Sequence, residues 1–136
     1  MKKHNLLPPG YRPGGFTLVE IMIVVAIIAL LASIAVPGFL RARKRSQASR
    51  ILNDLRLIDA AVDQYAIENN KGSGTLVRTV DWTVYLKAGT ALYTTGKDTL
   101  GNPYGSQTVD QIPRVPANTF KSLSDVAPST FWAPYY

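Results

Sequence analysis

Between residues 15 and 20 the chain reads Gly15-Phe16-Thr17-Leu18-Val19-Glu20, and two of these residues bring chemistry that their setting makes conspicuous. Gly15 has no side chain and stays extended at little cost, which leaves the Gly15–Phe16 peptide unshielded by a Cβ on its N-terminal side. Glu20 is a carboxylate at the head of a run that is otherwise apolar. An acid in such a span is expensive and calls for a partner. Two readings stand side by side: Glu20 is paired with a cation, or it sits hydrated at headgroup level. Further along, Pro37 removes one helical hydrogen bond and Gly38 loosens its surroundings, which fits local bending during assembly as well as a plain kink at a membrane boundary.

Other chemistry is scarce. The chain has no cysteine, which excludes disulfides, thiolate catalysis and zinc–cysteine sites. The lone His4 lies in the N-terminal segment, so no histidine-based active site or metal cluster can be assembled. Asp98, Asp110 and Asp125 are dispersed, whereas Ca²⁺ needs six or more oxygen ligands. No pair of titratable groups in the C-terminal region offers an acid/base or nucleophile arrangement. The residues therefore predict a protein that is not an enzyme and carries no metal and no cofactor.

The elements that must position Glu20 and Pro37 are legible. From Ile21 to Leu40 there are twenty residues without a charge. At about 1.5 Å per residue that is roughly 30 Å, the hydrocarbon thickness of a bilayer. Residues 16–40 are therefore expected to form a transmembrane helix. In 41–71 the apolar positions Ala48, Ile51, Leu52, Leu55, Ile58, Val62 and Tyr65 recur at helical spacing, with Arg50, Asp54, Arg56, Asp59, Asp63 and Glu68 between them. This is an amphipathic continuation of the same helix, ended by Asn69, Asn70 and Gly72. Residues 72–136 remain for a small domain. Within it Thr79 or Asp81 is expected to cap a brief helix over Trp82, Tyr85 and Leu86. Residues 99–104 read as a turn, 104–112 and 119–126 as short antiparallel strands. Phe131, Trp132, Tyr135 and Tyr136 are expected to pack on the helix stripe. The fold class is α+β: one long N-terminal α-helix, half membrane and half amphipathic, with a small β-containing domain packed on it.

Charge follows the same division. The formal net charge is +6, but Lys2, Lys3 and Arg12 precede the apolar run and Arg41, Arg43, Lys44, Arg45 and Arg50 follow it. Beyond residue 72, Arg78, Lys87, Lys97, Arg114 and Lys121 are nearly balanced by acids and are not interleaved with aromatics as a nucleic-acid groove would require. No nucleic acid is expected as a partner. The basic cluster fits lipid phosphates first, with the acids of adjacent subunits as the alternative.

The stretch Gly15-Phe16-Thr17-Leu18-Val19-Glu20, behind a short basic leader and ahead of an apolar span with Pro37 in its distal part, resembles the signal of the type IV pilin and type II secretion pseudopilin family. The resemblance covers about residues 10–70. It implies a leader peptide over 1–15, cleavage between Gly15 and Phe16 by a prepilin peptidase, and N-methylation of Phe16. It implies that Glu20 meets the amino group of a neighbouring subunit's Phe16 during assembly. Partners would be copies of the chain and other pilins or pseudopilins in a helical filament, an inner-membrane assembly platform, and membrane lipid. The leader would lie on the cytoplasmic side of a bacterial inner membrane and the C-terminal domain in the periplasm. Counting cations alone, three before the span and five after it, would reverse that orientation; peptidase access decides for the family's. Asp98-Thr99-Leu100-Gly101-Asn102-Pro103-Tyr104 resembles the Asp…Gly-Asn-Pro-Tyr turn of the major pseudopilin, without an acidic calcium loop after it. Pilins often close a C-terminal loop with a disulfide, which this chain cannot form. The expected function is thus a structural subunit of a type II secretion pseudopilus, with a type IV pilin of a surface pilus as the alternative.

Overall fold

The computed structural model describes Gly10 and residues 14–136. The cations Lys2, Lys3 and Arg12, the lone His4 and most of the expected leader lie outside the described residues. The chain divides into two compact units, one ending at Gly38 and one spanning Phe39–Tyr136. One helix, α1 (Leu18–Glu68), contributes to both.

In the first unit the α1 residues from Leu18 to Gly38 are all exposed. Their apolar side chains, Ile23, Leu30 and Ile34 among them, are covered by nothing among the described residues. A helix that is apolar on every side and buries none of them is long and apolar enough to cross a membrane. Pro37 stays inside α1, so the Ser33 carbonyl goes without its intrahelical donor.

In the second unit α1 turns amphipathic, and its stripe builds the core. Ala48, Ile51, Leu55, Ile58 and Val62 are buried, and Leu52 and Tyr65 are half-buried. Burying one such Leu or Ile contributes about 1.5–3 kcal/mol. The helix ends at Glu68, and Asn70 beyond it adopts a left-handed φ of 48°, a conformation asparagine tolerates better than most. Against the stripe pack Val77, Trp82, Leu92, Tyr104, Leu123 and Trp132.

The rest of the unit consists of short elements. β1 (Leu76–Val77) pairs antiparallel with β2 (Gln107–Thr108) in a two-stranded sheet. α2 (Thr79–Thr83) starts one residue earlier than Thr79 as cap would have it and three earlier than Asp81 would: Arg78 is the N-cap, and Asp81 accepts its backbone N–H at 3.2 Å. α2 is also shorter than expected, ending before Tyr85 and Leu86. α3 (Ala91–Thr95) is framed by Thr90, whose hydroxyl accepts from Tyr93 N–H at 3.2 Å, and by Gly96 at φ 60°. α4 (Ala117–Leu123) and α5 (Ser129–Trp132) complete the unit.

The α+β class is therefore observed, with one correction. The strand expected over 119–126 is α4 and the turn after it. Thr119, Leu123 and Ala127 are all buried at four-residue spacing, which is a helical period, and an alternating strand would have turned every second residue outward. The strand expected within 104–112 is only the two residues of β2, and it pairs with β1 instead. Of the terminal aromatics, Trp132 and Tyr135 are buried and Phe131 is half-buried. Tyr136 is 57% exposed, with its ring 4.8 Å from that of Phe120.

Candidate processing and assembly site

Gly14, Gly15, Phe16 and Thr17 precede α1 in non-helical backbone, and all four are exposed. Nothing lies within 4 Å of a side chain added at Gly15. The Gly15–Phe16 bond thus sits in an accessible stretch immediately before a helix, where an enzyme can reach both faces of the peptide.

The first turn explains why the helix begins where it does. Glu20 Oε2 accepts from the Thr17 backbone N–H at 2.7 Å and from the Thr17 hydroxyl at 2.8 Å. In return Thr17 Oγ1 accepts from Glu20 N–H at 3.2 Å. This is a reciprocal capping box, which satisfies donors that the first helical turn cannot pair internally and sets a carboxylate at the positive end of the helix dipole. Glu20 therefore has a partner in its own chain, one that neither sequence reading included. The signal was present: Thr-x-x-Glu before an apolar run is the spacing of a capping box. Among the described residues only Oε2 of Glu20 is engaged, which leaves Oε1 for a cation. Pro37 lies in the same unit, well down α1 and in no contact with this turn that would make the two a single site.

The Asp98–Tyr104 turn of the second unit has a specific architecture. Asp98 Oδ1 accepts from the backbone N–H groups of Leu100 at 2.8 Å and Asn102 at 2.9 Å. Its Oδ2 accepts from the hydroxyl of Thr119, and Thr119 Oγ1 accepts from the Asn102 amide at 2.9 Å. Asp98 and Thr119 are both buried. Gly101, at φ 86°, closes the turn. The Tyr104 hydroxyl donates to Asp54 Oδ2 at 3.3 Å, tying the turn to α1. Burial, with the Asp54 charge second, pushes the Tyr104 hydroxyl far above its ordinary value. Burial is also the main cause that raises the Asp54 carboxyl. A groove of about 1160 Å³ runs beside α1 and includes Asp54 and Asp98 in its lining. Both carboxylates are already committed to Tyr104 and Thr119, so the turn reads as a structural brace. Among the described residues no cluster of three or more metal-ligating side chains occurs.

A family model described as the prokaryotic N-terminal methylation motif matches residues 12–36. The type II secretion system core protein G of Pectobacterium carotovorum is 36% identical over 66 residues, 48% of this chain and 42% of that protein. The type IV major fimbrial protein FimA of Dichelobacter nodosus is 38% identical over 63 residues, 46% of this chain and 40% of that protein. The type IV major pilin protein PilA of Myxococcus xanthus is 42% identical over 62 residues, 46% of this chain and 28% of that protein. The chain thus matches less than half the length of these curated relatives. No solved structure matches it. Residues 12–36 thus match the prokaryotic N-terminal methylation motif, and somewhat under half of the chain is similar to the type II secretion system core protein G and to type IV pilins.

Proposed function

We propose that the chain is a structural subunit of a type II secretion pseudopilus. A prepilin peptidase cuts between Gly15 and Phe16, and Phe16 is N-methylated. The mature chain is then held in the bacterial inner membrane by the first part of α1, with residues 72–136 in the periplasm. Assembly packs these helices into a filament core. There Glu20, capped by Thr17 through Oε2, pairs through Oε1 with the amino group of a neighbour's Phe16. Pro37 supplies the weak point at which the helix adapts during packing.

The observation that carries this reading is the first turn of α1. An accessible Gly15–Phe16 bond leads directly into a capped helix whose apolar residues to Gly38 bury nothing in the chain. Intact-mass analysis of protein from its native host should find a chain beginning at Phe16 with one added methyl group. A mature chain that keeps residues 1–15 refutes the proposal.

A type IV pilin of a surface pilus is the second reading, favoured by the 42% identity to the Myxococcus xanthus pilin. The resemblance of the Asp98–Tyr104 turn and the lack of cysteine favour the pseudopilin. Deletion separates them: loss of protein secretion with no loss of surface fibres fits the pseudopilin, and the converse fits the pilin.

A further inference from the structure

In the second unit the first turns of α1 after Gly38 carry a dense run of cations. Arg41, Arg43, Lys44, Arg45 and Arg50 occur there, and the sequence holds no acid between Glu20 and Asp54. Such an excess must be balanced by something outside that stretch. Asp125 supplies part of the balance: its carboxylate accepts from Lys44 Nζ at 2.9 Å. This contact pulls the Asp125 carboxyl below its ordinary range, with Arg41 a minor contributor. The only other ion pair among the described residues is Arg78–Asp81. Arg41, Arg43, Arg45 and Arg50 are exposed, and among the described residues no carboxylate lies in salt-bridge reach of them.

The placement of these cations selects what balances them. Successive helical residues turn by about 100°, so Arg41 and Arg45 lie about 40° apart on one side of α1 and Arg43 lies about 160° from both, on the other side. A protein partner docking on one side of the helix would meet Arg41 and Arg45 or Arg43, but not all three. Arginines on both sides of the helix directly after an uncharged run of about twenty residues match a planar layer of phosphates at the edge of a bilayer. Guanidinium groups suit that layer, because each presents a planar fork to phosphate oxygens.

We propose that Arg41, Arg43 and Arg45 form a collar that binds the phosphates of anionic lipids, while Lys44 is withheld from it by Asp125. The inference rests on the membrane anchoring in the proposed function and not on filament assembly. The Lys44–Asp125 pair ties the turn between α4 and α5 to the same collar, so the small domain and the lipid-binding arginines share one stretch of helix.

The test uses the full chain purified in mild detergent, with phosphatidylglycerol or phosphatidylcholine added in equal amounts, and native mass spectrometry to count retained lipid. Wild type should retain phosphatidylglycerol in preference to phosphatidylcholine, and the preference should fall as salt is raised. The triple variant Arg41→Gln, Arg43→Gln, Arg45→Gln should lose most of that preference. A control with Lys87, Lys97 and Lys121 changed to Gln removes the same charge elsewhere and should keep it. Equal retention of the two lipids by wild type, or equal loss in both triple variants, overturns the collar. Filaments lost in the arginine variant without any wild-type lipid preference would assign the arginines to a neighbouring subunit and overturn it too. Unassembled chain found in the soluble fraction of lysed cells without detergent refutes the membrane anchoring itself, and the collar with it.

Discussion

Removing the Asp98 carboxylate should unravel the turn that the small domain is braced by. In Asp98→Ala three donors lose their acceptor: the N–H groups of Leu100 and Asn102 and the Thr119 hydroxyl. Hydrogen bonds to a charged group are worth about 1.5–3 kcal/mol each. The three losses will not simply add. Water can reach Leu100 and Asn102, which are exposed and half-buried, but not Thr119, at 0% exposure. One fully stranded buried hydroxyl and two partly rescued amides give about 3–5 kcal/mol. Small domains have only about 5–15 kcal/mol in all. The melting temperature should therefore fall by more than about 10 °C. Asp98→Asn keeps Oδ1 for the two amides and turns an NH₂ toward Thr119, so it should cost only about 1–2 kcal/mol. Thr119→Val should cost less than Asp98→Ala, and the double variant less than the sum, with a coupling of about 1 kcal/mol or more. Urea unfolding of the full chain in detergent reports this directly through the fluorescence of Trp82 and Trp132, both fully buried in this unit. If Asp98→Ala lies within about 1 kcal/mol of wild type, or if the two costs add independently, the brace does not exist as described.

Other perturbations follow from particular contacts. Glu20→Ala should leave membrane insertion intact and impair filament yield, since a neighbour's buried ammonium left unpaired costs about 3–5 kcal/mol; normal filaments from both Glu20→Ala and Glu20→Gln would mean that Glu20 is only a capping residue. Gly96→Ala places a Cβ 2.5 Å from Thr79 Cγ2 at φ 60°, whereas Gly89→Ala at φ 84° meets nothing within 4 Å. Both carry a left-handed penalty of about 1–2 kcal/mol, and Gly96→Ala should lower the urea midpoint clearly further. Asp54, whose carboxyl is raised mainly by burial, opposes folding when ionised. Its cost is present above the folded pKa and fades as pH falls toward the unfolded one. Asp54→Asn still offers Tyr104 an acceptor, so it should raise the urea midpoint at pH 7, with the gain vanishing below about pH 4. A lowered midpoint at pH 7 would contradict the burial argument.

What the sequence determined by itself is nearly everything that repeats over several helical turns. Twenty uncharged residues fix a membrane-length helix because no other conformation satisfies backbone groups in lipid. Ala48, Ile51, Leu55, Ile58 and Val62 fix the buried stripe because five positions sample the helical period several times over. Even the Thr17–Glu20 cap was written in residues three apart. The small domain was legible only in fragments. A period needs length to be read, and its elements run from two to seven residues. That is why Thr119 and Leu123 passed for part of a strand, and why the Thr90–Gly96 frame of α3 went unread. Sequence alone placed Asp98 at the head of a turn but gave it no partner. Only folding set Thr119, twenty-one residues away, against its carboxylate and Asp54 of α1 against Tyr104. Those pairings are chosen by which buried polar groups must find one another once α1 has gathered the core, and no local spacing encodes them.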